Sequence, residues 1–380
     1  MRWRQGLLVI VAGVVAVLTT SFETTRSAVD KAVPGGGKED PNPAVNDPDQ
    51  FAWRLFTDIN KPAQNGTNDT LWETWATDDD TFPPNPDPKD PTKRPKWPGG
   101  KAQPLVLKPS TQLHIFFEQQ QKEPTNSHPF PLIGPQGAQE EVRRNKVTFD
   151  YIIDHDLWYL NGLAAAASSG KPINVPPDSI EIKAHWKPIQ EKDKPRYHWN
   201  TDKSGKLFGL IALHVSSKAL PNWHWATFEQ VDNPQRGKVL GCHDSFGVTP
   251  PNTCDGKVSD ALLELLKKAG LGAEWQNYRL DGSQVNFIDS TGRPTLLGNS
   301  EVEGPFITTS SCITCHAKAA VNGNGVFLPV FKQNQPVEGN VGAPDPGWYF
   351  NSGGTTKFLQ ADFIWGFSQA SPAKQTAPSP

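Results

Sequence analysis

Between positions 180 and 229 the chain reads I-E-I-K-A-H-W-K (180–187), then L-F-G-L-I-A-L-H-V (207–215), then W-H-W-A-T-F-E (223–229). The first stretch alternates with period two: Ile180, Ile182, Ala184 and Trp186 share one strand face, and Glu181, Lys183, His185 and Lys187 take the other. The second is almost unbroken apolar sequence, as in a strand buried on both faces. The third is a further strand candidate, rich in aromatic rings. These three segments predict a sheet, and the sequence on either side predicts what packs on it.

Downstream, 259–269 (S-D-A-L-L-E-L-L-K-K-A) has leucines at helical spacing, with Ser259 as N-cap and Gly270 as stop. A hairpin is expected after it, through 285–287 and the turn Asp289-Ser290-Thr291-Gly292. Upstream, 140–167 alternates charge and bulk at helical spacing and predicts one helix. Another opens at Asp47-Pro48 and carries Phe51, Trp53, Leu55, Phe56 and Ile59 up to Pro62. Residues 78–109 contain nine prolines and the run Asp78-Asp79-Asp80. Regular structure is not expected there, and the acidic run reads as a solvated loop rather than a calcium site. The fold class predicted is α+β, with mixed strands and helices in one large loop-rich domain over 50–367.

The composition agrees with such a body. Among 380 residues, 13 Trp and 19 Phe can fill a core, and 36 Pro with 32 Gly imply many loops without reaching a disordered composition. A net charge of -3 argues against a nucleic-acid partner. The one methionine is Met1, so no later step can use a methionine side chain.

Arg2 and Arg4 precede the uncharged run L-L-V-I-V-A-G-V-V-A-V-L (7–18), and Thr19-Thr20-Ser21 follows. This is the pattern of a secretory signal peptide over 1–28, with cleavage after Ser21 or Ala28. Twelve helical residues rise only about 18 Å, against a bilayer core of about 30 Å. No stable transmembrane segment is expected after cleavage; an anchor extended through Phe22 is the alternative. Residues 29–49 read as a flexible leader and 368–380 as a disordered tail. The expected location is periplasmic or otherwise exported.

The four cysteines form two pairs. Cys312-Ile313-Thr314-Cys315-His316 is the attachment signature of c-type haem. Two thiols two residues apart match the two vinyl groups, and the adjacent histidine lies under the iron. The expected cofactor is therefore one covalently attached haem c, with His316 as the proximal ligand. A redox dithiol or a zinc site competes with this reading. Cys242 and Cys254, twelve apart in a Pro/Gly-rich loop, are expected to form a disulfide in an oxidising compartment; a metal clip involving His243 is the alternative.

With methionine unavailable, the sixth iron position falls to histidine, to another donor such as Lys or Tyr, or stays open. His214 ends the most apolar strand and is the leading distal candidate. His185 and His224 come next, with His128 and His198 read as loop residues. A six-coordinate iron implies an electron carrier docking on an unidentified periplasmic redox partner. An open iron implies a haem enzyme or small-molecule sensor, peroxidase-like, with His214, Glu229 or Arg279 placed for acid–base work.

Several segments together resemble a known family: F-A-W-R-L-F-x-x-I-N-K-P from Phe51, I-E-I-K-A-x-W-K from Ile180, Leu213-His214, and W-x-W-A-T-F-E from Trp223. L-G-N-S-x-x-E from Leu297 then runs into S-S-C-x-x-C-H ending at His316. The chain is similar to exported bacterial proteins of the cytochrome c family, a monohaem group with the C-x-x-C-H near the C-terminus. The resemblance implies Cys312 and Cys315 as thioether sites and His316 as axial ligand. The haem segment is expected to be embedded in the larger fold, because a separate small cytochrome domain places the motif near its start with a Met after it, and here only 64 residues follow His316 and none is Met. Members of the family often carry His after the Thr-Phe-Glu run; Gln230 stands here, so no role carries over to it.

Overall fold

The computed structural model describes residues 42–63, 66–99, 105, 107–109, 139–331 and 338–374. All of them fall in one compact unit, Asp40–Pro380. The signal and most of the leader, together with His114 and His128, lie outside the described residues. No helix among the described residues is long and apolar enough to cross a membrane.

The fold is α+β. Its helices are α1 (Pro43–Asn46), α2 (Pro48–Ile59), α3 (Asp78–Thr81), α4 (Lys146–Asp154), α5 (Leu160–Ser169), α6 (Asp260–Ala269) and α7 (Cys312–Ala317). Its strands are β1 (Ala76–Thr77), β2 (Lys108–Pro109), β3 (Gln139–Arg144), β4 (Ile180–Pro188), β5 (Trp199–Thr201), β6 (Leu207–Ser217), β7 (His224–Gln230), β8 (Val248–Thr249), β9 (Lys257–Val258), β10 (Tyr278–Gln284), β11 (Ala320–Val321) and β12 (Leu359–Gln360). One antiparallel sheet runs β1-β3-β4-β6-β7-β10, with β2 on β3 and β5 on β6.

The alternation in β4 sorts this sheet into two layers. Ile182, Ala184, Leu213, Val215 and Phe228 pack with Trp53, Phe56, Leu262 and Leu266 of α2 and α6. Phe56 meets Phe228 at a ring separation of 4.4 Å. α6 is closed as its sequence predicts: Ser259 Oγ accepts from Leu262 N–H, and Gly270 turns left-handed at φ +73°. The opposite face carries polar side chains in register. Arg144, Glu181, Ser216, Trp225 and Gln284 form one row; Val142, Lys183, His214 and Thr227 form the next. This face is covered as well, by a second core built from α4, α5, the 297–331 segment and 361–370.

Four expectations need correction. The helix predicted over 140–167 is instead a strand and two helices. Its charges read as a solvated helix face, yet they are spent on ion pairs within the sheet: Arg143 with Glu141 on the same strand (2.8 Å), and Arg144 with Glu181 (3.2 Å) and Glu140 with Lys183 (3.1 Å) across to β4. α4 starts only at Asn145, whose Oδ1 accepts from Thr148 N–H. The chain then turns at Asp156 before α5, and a Cβ on Gly162 would stand 1.7 Å from the Asp156 carbonyl oxygen, so that helix needs glycine there. The acidic run is not a solvated loop either. It forms α3, where Asp80 completes a capping box with Thr77 and buried Asp78 takes Arg144 at 2.5 Å.

Residues 285–294 close through the Asp289–Gly292 turn, but the pairing is a single bridge, Ile288 to Pro294, rather than a full hairpin. The tail expected from 368 is packed as far as Lys374. Leu160 N–H donates to the Ser371 carbonyl, Ala373 N–H to Asn161 Oδ1 and Lys374 N–H to the Pro86 carbonyl; residues 375–380 lie outside the described residues.

Candidate functional site

α7 is hung beneath the polar sheet face by one side chain of β10. Gln284 Nε2 donates to Ser311 Oγ (2.8 Å), and its Oε1 accepts from Ile313 N–H (3.0 Å), so the sheet edge holds the start of the Cys-x-x-Cys-His turn directly. Ser310 accepts from Leu297 N–H through its carbonyl (3.1 Å), which lays the 297–303 segment alongside. Trp365 Nε1 donates to the Cys315 carbonyl at 3.1 Å.

Between this helix and the sheet is a cavity of about 150 Å³. Cys312, Cys315 and His316 line it from one side; Lys183, His214, Trp225 and Glu303 are among its other walls. The structure thus brings together all three residues of the motif and the leading distal candidate. Cys312 and Cys315 are not joined to each other. Burial drives the Cys312 thiol well above its ordinary range and the Cys315 thiol up to about 11.

His316 is oriented from outside its own helix. Its Nδ1 lies 2.8 Å from the Phe363 carbonyl oxygen, so Nδ1 carries the proton and Nε2 keeps its lone pair. Burial holds the ring down to about 4, so the imidazole is neutral near pH 7. The Trp225 ring lies 4.4 Å from it. Ligating histidines characteristically have this arrangement, with one ring nitrogen fixed by a carbonyl and the other free.

His214 is the counterpart. Its Nε2 is buried and has no hydrogen-bond partner, with Glu303 Oε1 at 3.5 Å. Burial and then the Lys183 charge push this imidazole well below its ordinary range. A neutral imidazole nitrogen that has no hydrogen-bond partner and faces a cavity can offer its lone pair to a ligand. Glu303, half-buried, is raised to about 7, chiefly by desolvation. Burial alone would lower Lys183, but Glu140 and then Glu303 hold it above its ordinary range. Two thiols, one anchored imidazole and one unpartnered imidazole are a donor set that fits a haem c.

The remaining histidines are accounted for elsewhere. His185, on the polar face as expected, is buried with Nε2 at 3.1 Å from Glu140. His224 is buried on the far side, its Nε2 at 3.0 Å from the Pro48 carbonyl. His198 is a loop residue as expected, just before β5, but it is buried, with Nε2 at 2.8 Å from Glu73. His243 contacts the Leu240 carbonyl, and its neighbour Cys242 is disulfide-bonded to Cys254, which removes the metal-clip alternative. Glu229 and Arg279 do not line the cavity; Glu229 is held by Ser300 and Asn233.

Sequence reasoning missed Gln284, Phe363 and Trp365. Phe363 acts through its backbone, which leaves no signature in residue type, and Gln284 sits in a strand whose Asp281-Gly282 reads as a turn.

Compared with known proteins, the chain matches no protein-family model, no curated protein and no solved structure.

Proposed function

We propose that the chain is a monohaem c-type cytochrome of an exported compartment, carrying electrons. Cys312 and Cys315 would tether the haem, and His316 and His214 would be its nitrogen donors. The observation that carries this reading is the pairing of an anchored His316 with an orphaned His214 nitrogen on one cavity that both cysteines line. When bound, the group supplies a one-electron iron couple. The chain tethers it, orients one imidazole through the Phe363 carbonyl, and walls out water with Trp225 and Trp365. Two histidines, in place of a His/Met pair, imply a low reduction potential.

The thiols argue against a redox dithiol. Such cysteines work by a lowered pKa, whereas burial raises both of these. The disulfide between Cys242 and Cys254 is in keeping with an oxidising compartment.

A second reading, a haem enzyme or sensor with an open iron, draws on Glu303, Lys183 and Glu140, which put acid–base groups on the same cavity. The test is the visible spectrum of the exported protein, oxidised and reduced, with and without carbon monoxide. A low-spin spectrum indifferent to carbon monoxide is expected; a high-spin spectrum that shifts with it would move the assignment to the second reading. Replacing Cys312 and Cys315 with Ala should abolish haem staining on a denaturing gel, and staining that survived would overturn both.

A further inference from the structure

Asp362 and Phe363 are consecutive and both left-handed, at φ +46° and +66°. Aspartate tolerates that region; a bulky aromatic residue seldom enters it. Such a conformation persists only where its surroundings enforce it. Here the enforcement converges on one carboxylate. Asp362 is buried, and its Oδ2 accepts from Val175 N–H at 2.8 Å. Its Oδ1 accepts from Trp223 Nε1 at 3.3 Å and is paired with Lys218 Nζ. Lys218 is itself fixed, donating also to the Pro221 carbonyl at 3.1 Å. Two separate segments, at 175 and in the 218–223 connection between β6 and β7, thus grip one side chain with three contacts.

The product of this grip is the direction of the next carbonyl. Phe363 O faces His316 Nδ1 at 2.8 Å, and Ala361 N–H donates to the Ala319 carbonyl at 2.7 Å, tying the turn to the chain just past α7. We infer that Asp362, locked by Lys218 and Trp223, is a positioning residue for His316: it holds the Phe363 carbonyl on Nδ1 and thereby sets the basicity of Nε2. This rests on the proposed haem reading. An acceptor on Nδ1 makes the imidazole a stronger donor and favours the oxidised iron, so loosening the turn should favour the reduced one.

The test begins with the wild-type haem protein, whose covalent haem is established by staining and whose midpoint potential is then titrated. Asp362→Gly keeps the backbone freedom for positive φ but removes all three anchors. Lys218→Met removes one anchor from another element. Asp362→Asn keeps an acceptor for Trp223 and the left-handed preference. Outer-shell partners of this kind are worth roughly 10–100-fold. The potential of Asp362→Gly is expected to rise by a tenfold change in the oxidised-to-reduced ratio or more, about 59 mV for one electron. Lys218→Met should move the same way, and Asp362→Asn should recover part of the shift. Exchange of the His316 Nδ1 proton should quicken in the same order.

Unchanged potentials and exchange in Asp362→Gly and Lys218→Met, with only a loss of stability, would overturn the inference and leave the haem reading intact. If Asp362→Gly fails to fold, Lys218→Met and Asp362→Asn decide alone. A wild-type chain without covalent haem would sink the underlying reading before any variant was made.

Discussion

Burial leaves both cavity imidazoles uncharged, and it acts on the charged side chains beside them according to their partners. Glu140 is the clearest case. Desolvation alone would raise its carboxyl, but the Lys183 charge and the His185 hydrogen bond outweigh it and bring the group down to about 2. In the unfolded chain the same carboxyl titrates near its ordinary 4.5. Between those values the unfolded state binds the extra proton, so stability rises with pH there. The contribution is complete above about pH 4.5 and is lost as pH falls through 2, with a size on the order of 3 kcal/mol at about 1.4 kcal/mol per pH unit. Glu140→Gln should therefore be less stable than wild type by that order in urea titrations near pH 6.5, and the two should converge as the pH approaches 2. A gap independent of pH would mean that packing, not charge, explains the residue.

At the level of elements, the joint between β10 and α7 is the one that matters for the site. Gln284 is buried and spends its side chain on four partners: Ser311 Oγ, Ile313 N–H, and the carbonyl and hydroxyl of Thr295. Removing it orphans several buried groups, each at a cost of about 1–3 kcal/mol. Gln284→Ala should lose about 2 kcal/mol or more in urea unfolding while Gln284→Glu retains part of it; an unchanged midpoint would show that the helix is held by something else. β10 itself was illegible in the sequence. Y-R-L-D-G-S-Q has neither alternation nor β-branched residues, and a register shift falls between Leu280 and Gly282. β3 was misread for a different reason: Arg144 and Glu140 find their partners across strands, on β4, which spacing along the chain cannot reveal. By contrast β4, β6, β7 and α6 were legible because the period of their apolar residues matched the faces they bury. The Cys-x-x-Cys-His triplet was legible because its chemistry is local, whereas the carbonyl that orients its histidine lies 47 residues away.

Over the whole molecule, two cores share one sheet, and the disulfide lies where the 242–254 loop joins it. Arg236 Nη1 donates to Asp281 at 3.3 Å and Nη2 to the Cys254 carbonyl, while His243 N–H donates to the Asp281 carbonyl at 2.9 Å. Opening a cross-link across a loop of this size typically costs about 3 kcal/mol. The double variant Cys242→Ala, Cys254→Ala should lower the urea midpoint accordingly and leave the visible spectrum of the loaded protein unchanged. A spectral change would mean that the loop reaches the cavity.

The long span from His316 to Phe363 also orders events in time. A chain that leaves the ribosome, or threads a membrane pore, N-terminus first presents the whole sheet before Cys312 appears. It presents the motif while the residues that lock it are still to come. Once the 361–367 turn seats against α7 and the second core closes, burial raises both thiols above their ordinary range while each stays partly exposed. On the proposed haem reading, covalent loading is therefore expected to be faster on the emerging chain than on one that has already folded empty.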